Sequence, residues 1–140
     1  VNNYQFRSYA AESKDRIGYK KVYYWVSDES KNVFMMPAVA TLRIPASATV
    51  LPTFTGRLRT NEAIVEKIVD EATGAAVNEA FSGTRTHFPY KIGAVVKPKF
   101  FHPKEREDEN VSYGIHFFDT EEKARDFEVF HTKPKAPGSK

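Results

Sequence analysis

The chain has 140 residues, 41% of them hydrophobic and 14% aromatic, with eleven Phe, seven Tyr and one Trp, enough to bury roughly two-thirds of the unfolded surface in one core. It contains no cysteine, which excludes disulfides, thiolate metal sites and a cysteine nucleophile. A net charge of +3 is too small an excess to mark a nucleic-acid binder by itself, and no stretch approaches the ~18 consecutive apolar residues of a membrane span.

The opening Val1-Asn2-Asn3-Tyr4 lacks the basic and apolar regions of a secretory signal, and Val in first place reads as a processed or partial start. Residues 1–18 are polar and without clear period, and are expected to form an N-terminal arm that packs through Tyr4, Phe6 and Tyr9. Residues 19–26 are dense in β-formers. Alternation sets Tyr19, Lys21, Tyr23 and Trp25 on one face and Lys20, Val22, Tyr24 and Val26 on the other. Residues 28–32 form a turn cluster, and 33–36 are apolar. Pro37 is expected to interrupt the ladder there, leaving a short edge segment.

Residues 38–44 predict a second strand, with Ala38, Ala40, Leu42 and Ile44 on one face. A connection bracketed by Pro45 and Pro52 leads to a further short strand over 54–58. Residues 62–69 fit two periods: Ile64, Val65, Ile68 and Val69 have helical spacing, yet Ile64, Glu66 and Ile68 alternate with Val65, Lys67 and Val69. The turn Asp70-Glu71-Ala72-Thr73-Gly74, with Gly where a left-handed residue closes a hairpin onto 75–77, favours the strand.

Residues 78–88 read as a polar loop around Gly83, and 90–96 as a strand with Ile92, Ala94 and Val96 on one face, ended by Pro98. Residues 102–110 mix both signs of charge as a solvated loop does. Residues 112–118 predict the last strand. Asp119 or Thr120 then caps a helix to about residue 130, with Glu121 and Glu122 in its first turn and Ala124, Phe127 and Phe130 facing the sheet. Residues 132–140 are basic and Pro-rich, and are expected to be disordered. The expected fold is α+β, a single domain over residues 19–131 that is mainly a twisted antiparallel sheet with one C-terminal helix.

Three patterns carry a family resemblance. Tyr19-Lys20-Lys21-Val22-Tyr23, then Arg57-Leu58-Arg59-Thr60-Asn61-Glu62-Ala63-Ile64-Val65, then Tyr90-Lys91-Ile92-Gly93-Ala94-Val95-Val96 leading to Tyr113-Gly114-Ile115-His116-Phe117-Phe118, resemble in that order an uncharacterised "GIHFF" domain. That domain is known chiefly from large DNA viruses and microbial proteins, where it often accompanies pentapeptide repeats. The resemblance spans residues 19–127 and supports the strand over 64–69. It implies a noncatalytic accessory or binding module, in a virion or in the cytoplasm, and supplies no functional residues. This chain lacks the family's cysteines before Gly114 and near Arg57, and has no pentapeptide array.

No reaction chemistry stands out. His87, His102, His116 and His131 never approach the i, i+4 spacing of a helical metal site, and no Gly-x-Ser-x-Gly elbow exists. The carboxylates Glu105, Glu107, Asp108 and Glu109 sit among Lys104 and Arg106, where solvation keeps them ordinary acids. No catalytic residue, metal or cofactor is expected, and His116 is expected to be a packed, hydrogen-bonded strand residue. The Gly114-Ile115-His116-Phe117 strand is also similar to the Gly-Ile-Tyr-Phe element of ADP-ribosyl-transferring enzymes. That similarity implies a nucleotide-ligand pocket in which Tyr24, His116 and Glu121 would take part.

A nucleic-acid binder would use Lys20, Lys21, Arg43, Arg57, Arg59, Lys91, Lys97 and Lys99 on phosphates, with Tyr23, Tyr24 and Trp25 for stacking. The reading preferred over both is a noncatalytic protein-interaction or assembly module, with a protein partner or larger assembly. Tyr23, Trp25, Arg57, Arg59 and His116 are the expected interaction residues.

Overall fold

Two twelve-residue strands, β1 (Arg16–Ser27) and β2 (Val33–Ile44), pair antiparallel along their whole length, from Arg16 opposite Ile44 to Ser27 opposite Val33. The computed structural model describes residues 14–53, 56–82, 85–98, 101 and 114–127. Between the two strands the Asp28 amide donates to the Asn32 carbonyl, and Lys31 takes a left-handed φ of 66°. With that closing bond, even-numbered residues of both strands aim their backbone groups at each other and odd-numbered ones aim outward.

Pro37 therefore interrupts nothing, contrary to the expectation from sequence. Its nitrogen faces away from β1, and its carbonyl accepts the Glu71 amide at 3.1 Å. A proline is tolerated where its missing N–H would meet no strand. β1 likewise begins already at Arg16, because Arg16, Ile17 and Gly18 pair with Ile44, Arg43 and Leu42.

Among the described residues the remaining strands are β3 (Val50–Pro52), β4 (Leu58–Thr60), β5 (Ala63–Asp70), β6 (Glu79–Ser82), β7 (Arg85–Lys91), β8 (Val95–Val96) and β9 (Ile115–Phe117). They form two sheets, a six-stranded one in the order β7-β6-β1-β2-β5-β8 and a three-stranded one in the order β3-β4-β9. Every pairing is antiparallel. A helix, α1 (Glu121–Asp126), follows β9.

β5 is a strand, and its double period has a cause. Val65 lies opposite Leu42 and Lys67 opposite Thr41, so Glu66 is the extra residue of a bulge. The bulge shifts the phase of alternation: Ala63 and Val65 point inward before it, Ile68 and Asp70 after it. Two apolar pairs four residues apart result, which imitates a helix. The hairpin closes as its turn chemistry leads one to expect, with Gly74 at φ 75° and the Asp70 amide on the Ala75 carbonyl.

Several expectations are corrected. The span 78–88 contains β6 and part of β7 instead of a loop. In β6 the buried residues Ala80 and Phe81 are neighbours in sequence, so no alternation marks the strand. The expected strand over 90–96 is broken by a turn at Ile92 and Gly93, where Gly93 has φ 84° and the Ala94 amide returns to the Lys91 carbonyl. Ile92 is consequently exposed. The short strand lies at Leu58–Thr60, past the expected 54–58, and the connection before it contains β3; Phe54 and Thr55 lie outside the described residues.

Thr120 is the helix cap, its hydroxyl accepting the Lys123 amide, and α1 ends at Asp126 because Phe127 turns extended. Phe130, the charged span 102–110, the N-terminal arm through residue 13 and the C-terminal tail lie outside the described residues.

The core lies on the even-numbered face of β1 and β2. Val22, Ala38, Ala40, Leu42 and Ile44 are essentially buried there, joined by Val65 and Ile68 and covered by Ile115 and Phe117 of the small sheet. Each fully buried large side chain contributes about 1.5–3 kcal/mol. The sheets are joined at one edge: Tyr19 and Phe118 exchange backbone hydrogen bonds of 2.8 and 2.7 Å. The chain then passes to the odd-numbered face, where Ala124 is buried and the Lys21 ammonium donates to the Arg125 carbonyl.

Phe117 fits only because residue 18 has no side chain. A Cβ at Gly18 would overlap the Phe117 ring, which is 1% exposed and has nowhere to go. Gly18→Ala is expected to cost about 1–3 kcal/mol, measured as a lower urea midpoint at unchanged slope. An unchanged midpoint would mean that Phe117 does not lie over Gly18.

Candidate functional site

Of the residues selected from sequence, Arg59 and His116 are brought together. They face each other across β4 and β9, with Leu51 of β3 next in the row. Leu58 and Ile115, one step away on each strand, point into the core, so this row occupies the opposite face of the small sheet. Arg59 is nevertheless buried, with its guanidinium 4.9 Å from the centre of the Phe101 ring. Stacking over an aromatic face suits this planar, weakly hydrated cation. Close approach of Phe101 also depends on Gly114, since a Cβ there would come within 3.1 Å of the Phe101 ring. His116 is half-buried.

A second cation, Lys20, supports the same strand from below. It lies on the core face between Gly18 and Val22 and is 8% exposed. Its ammonium donates to the His116 carbonyl at 2.9 Å and sits 5.9 Å from the centre of the Tyr90 ring. Phe118, two residues on, gives its backbone groups to Tyr19. Thus β1 satisfies the free edge of β9 with a backbone pair at one place and a side chain at the next. Sequence reading set Lys20 beside Val22 and Tyr24 but did not recognise it as buried; a lysine at an inward strand position was the available signal.

Arg57 lies elsewhere, its guanidinium 4.9 Å from the centre of the Phe127 ring. Lys21 pairs with Glu71 at 3.0 Å, and Arg43 is held between Asp15 at 2.9 Å and Glu66 at 3.1 Å. Asp15 also accepts the Ala46 amide, and that bond, with the Arg43 guanidinium, holds its carboxyl below the usual range. Lys91 and Lys97 are exposed, and Lys99 lies outside the described residues.

Tyr23 and Trp25 meet on the odd-numbered face. Both contact Phe81, with Trp25 stacked on it at 5.0 Å, and Met35 completes the cluster. Tyr23 is buried and Trp25 half-buried. On the even-numbered face of the same hairpin end, Val26 and Phe34 are direct cross-strand partners and are 39% and 48% exposed. The hairpin end therefore carries apolar side chains on both faces. Sequence reading did not select Phe34 or Val26, because their exposure depends on how far β5 and β6 extend.

Tyr24, His116 and Glu121 stand on three separate elements with separate partners. Glu121 pairs with Arg125 at 2.9 Å along the helix, and the Tyr24 hydroxyl donates to the Asp70 carboxylate. The other Asp70 oxygen accepts the Ala72 amide at 2.9 Å, the Thr73 amide at 2.8 Å and the Thr73 hydroxyl at 3.1 Å. The Tyr24 bond, then these turn donors, hold the Asp70 carboxyl below its ordinary value, while the same bond raises the Tyr24 phenol. Among the described residues no cluster of three or more His, Asp or Glu could hold a metal ion, and no helix is long and apolar enough to cross a membrane.

Asp70 is thus the lock of the β5 turn. A carboxyl depressed in the folded state adds stability that is complete above its unfolded value of about 3.9 and is lost as pH falls through the lower folded value. Asp70→Ala leaves these donors without their acceptor and is expected to cost about 1–3 kcal/mol at neutral pH, with a flatter acid limb in urea titrations as pH falls below about 3.9. Equal acid limbs for the two proteins would contradict this role.

No curated protein and no solved structure matches the chain. A family model does match, over residues 6–124, and its description is a family of unknown function, DUF5758. The match takes in both long strands, the small sheet and the start of the helix, and the chain belongs to this family of unknown function.

Proposed function

We propose that this chain is a noncatalytic protein-interaction module, an assembly or accessory part of a larger complex, and that it engages protein through the end of the β1–β2 hairpin. The observation that supports the reading is the concentration of apolar surface there. Phe34 and Val26 stand half-exposed side by side, with Trp25 stacked on the far face. Aromatic and aliphatic groups left partly open at one place are what protein partners bury. The titratable groups seen in detail serve the fold: Asp70 closes a turn, Lys20 caps a strand edge and Lys21 ties the helix to the sheet. The resemblance to domains of large DNA viruses and microbial proteins suits an accessory component of this kind, in a virion or a cytoplasmic complex.

The reading is tested in cells making the full-length protein, with a photoreactive benzophenone side chain replacing Phe34 or, as control, the exposed Lys67 in the middle of β5. Irradiation is expected to yield covalent protein adducts from position 34 and none above background from position 67. Equal labelling from both positions, or adducts to nucleic acid whose yield falls steeply with salt, would overturn it.

A further inference from the structure

The same hairpin end offers an unpaired length of backbone. Odd-numbered residues of β2 face β5, but β5 stops at Asp70, opposite Ala38. The final bond on that side runs from the Glu71 amide to the Pro37 carbonyl, and Pro37 has no N–H to return. Beyond it the backbone N–H and C=O groups of Val33 and Met35 have no partner on this side among the described residues. At the far end Lys31, with its left-handed φ, turns the chain back toward β1. The opening thus spans only residues 33–36, closed at one end by Glu71.

These bounds select the occupant. A strand running straight past the opening would meet Glu71, whereas a strand that begins at the opening and turns away would not. β2 itself has that form: it begins at Val33, and its preceding turn bends off the edge. We infer that a second copy of this chain docks here, by antiparallel pairing of two β2 edges about a two-fold axis at Phe34. The inference rests on the protein-interaction reading and names the partner.

In this register Val33 exchanges both its backbone hydrogen bonds with Met35 of the second copy, and Met35 does the same in return. Phe34 meets Phe34 at a non-hydrogen-bonded position, where cross-strand side chains come closest. Both exposed rings are then covered, with Val26 beside them on the same face. Asn32 comes opposite Met36 of the second copy, and the turn at Lys31 carries the chain off the edge before it reaches Pro37 and Glu71. An axis at Met35 fails, because it sets Val33 against Pro37, which has no donor and a carbonyl already in use. The pairing is isologous and closes as a dimer without leaving a further edge of the same kind.

The test is sedimentation velocity with light scattering on the full chain over a range of concentrations. A reversible dimer is expected. Phe34→Glu sets like charges face to face, and Val33→Pro removes an amide that faces only the opening while the even-numbered bonds to β1 persist. Each variant is expected to weaken the dimer by about tenfold or more, close to 1.4 kcal/mol, with an unchanged circular dichroism spectrum. Lys67→Glu is expected to leave it intact. A wild-type chain that stays monomeric, or a dimer indifferent to both variants, overturns the inference. If the monomeric chain still forms adducts to a different protein from position 34, the interaction reading survives and only the second copy is excluded.

Discussion

Twelve consecutive antiparallel pairs between β1 and β2 are the constraint on which the rest of this structure depends. Their parity decides which backbone groups are spent within the hairpin and which face the neighbouring strands. It also decides which side chains form the core. On the even-numbered face, Leu42, Ile44 and Val22 are buried under the small sheet. On the odd-numbered face, Val39 and Ala124 are buried where the helix packs. A slip of one residue would exchange the two faces, and burial on both of them resists it.

The hairpin is longer than the strands around it. β6 meets β1 at Val22 and Tyr23, and β5 leaves β2 at Ala38. The core therefore ends before the hairpin does, and side chains that would be interior elsewhere become surface at Val26, Phe34 and Trp25. An interaction module needs a feature of this sort: a rigid element, anchored by a core, that carries apolar groups beyond it. Lys20 and Arg59 serve the anchor instead. Each is a buried cation beside an aromatic ring: Lys20 ties β9 to β1, and Arg59 seats Phe101 on the outer face of the small sheet.

Much of the architecture was legible because it is local. Alternation gives the strands around residues 19–26 and 38–44, the Asp70–Gly74 turn gives the β5 hairpin, and the hydroxyl of Thr120 followed by two glutamates gives the helix start. What was misread depends on distant residues. Pro37 looks like a break until one knows that its nitrogen points away from β1. The Glu66 bulge makes a strand look helical, and Gly93 splits a run that alternates well on paper. β6 is too short to show a period and forms because β1 offers it an edge, and β7 in turn pairs on β6. The site follows the same division: the pairing of Arg59 with His116 and the burial of Lys20 are properties of the small sheet, formed by segments far apart in sequence. The open edge at Val33 and Met35 is set by where β5 ends.

Amide hydrogen exchange of the dilute, monomeric chain tests the hairpin parity most directly. Phe34 and Met36 are bonded into β1 and should exchange slowly, while Val33 and Met35, between and beside them, should exchange fast. A uniform rate across these four residues, whether slow or fast, would contradict the account: the first would mean that the edge is already covered within the chain, the second that the hairpin end is not a formed strand.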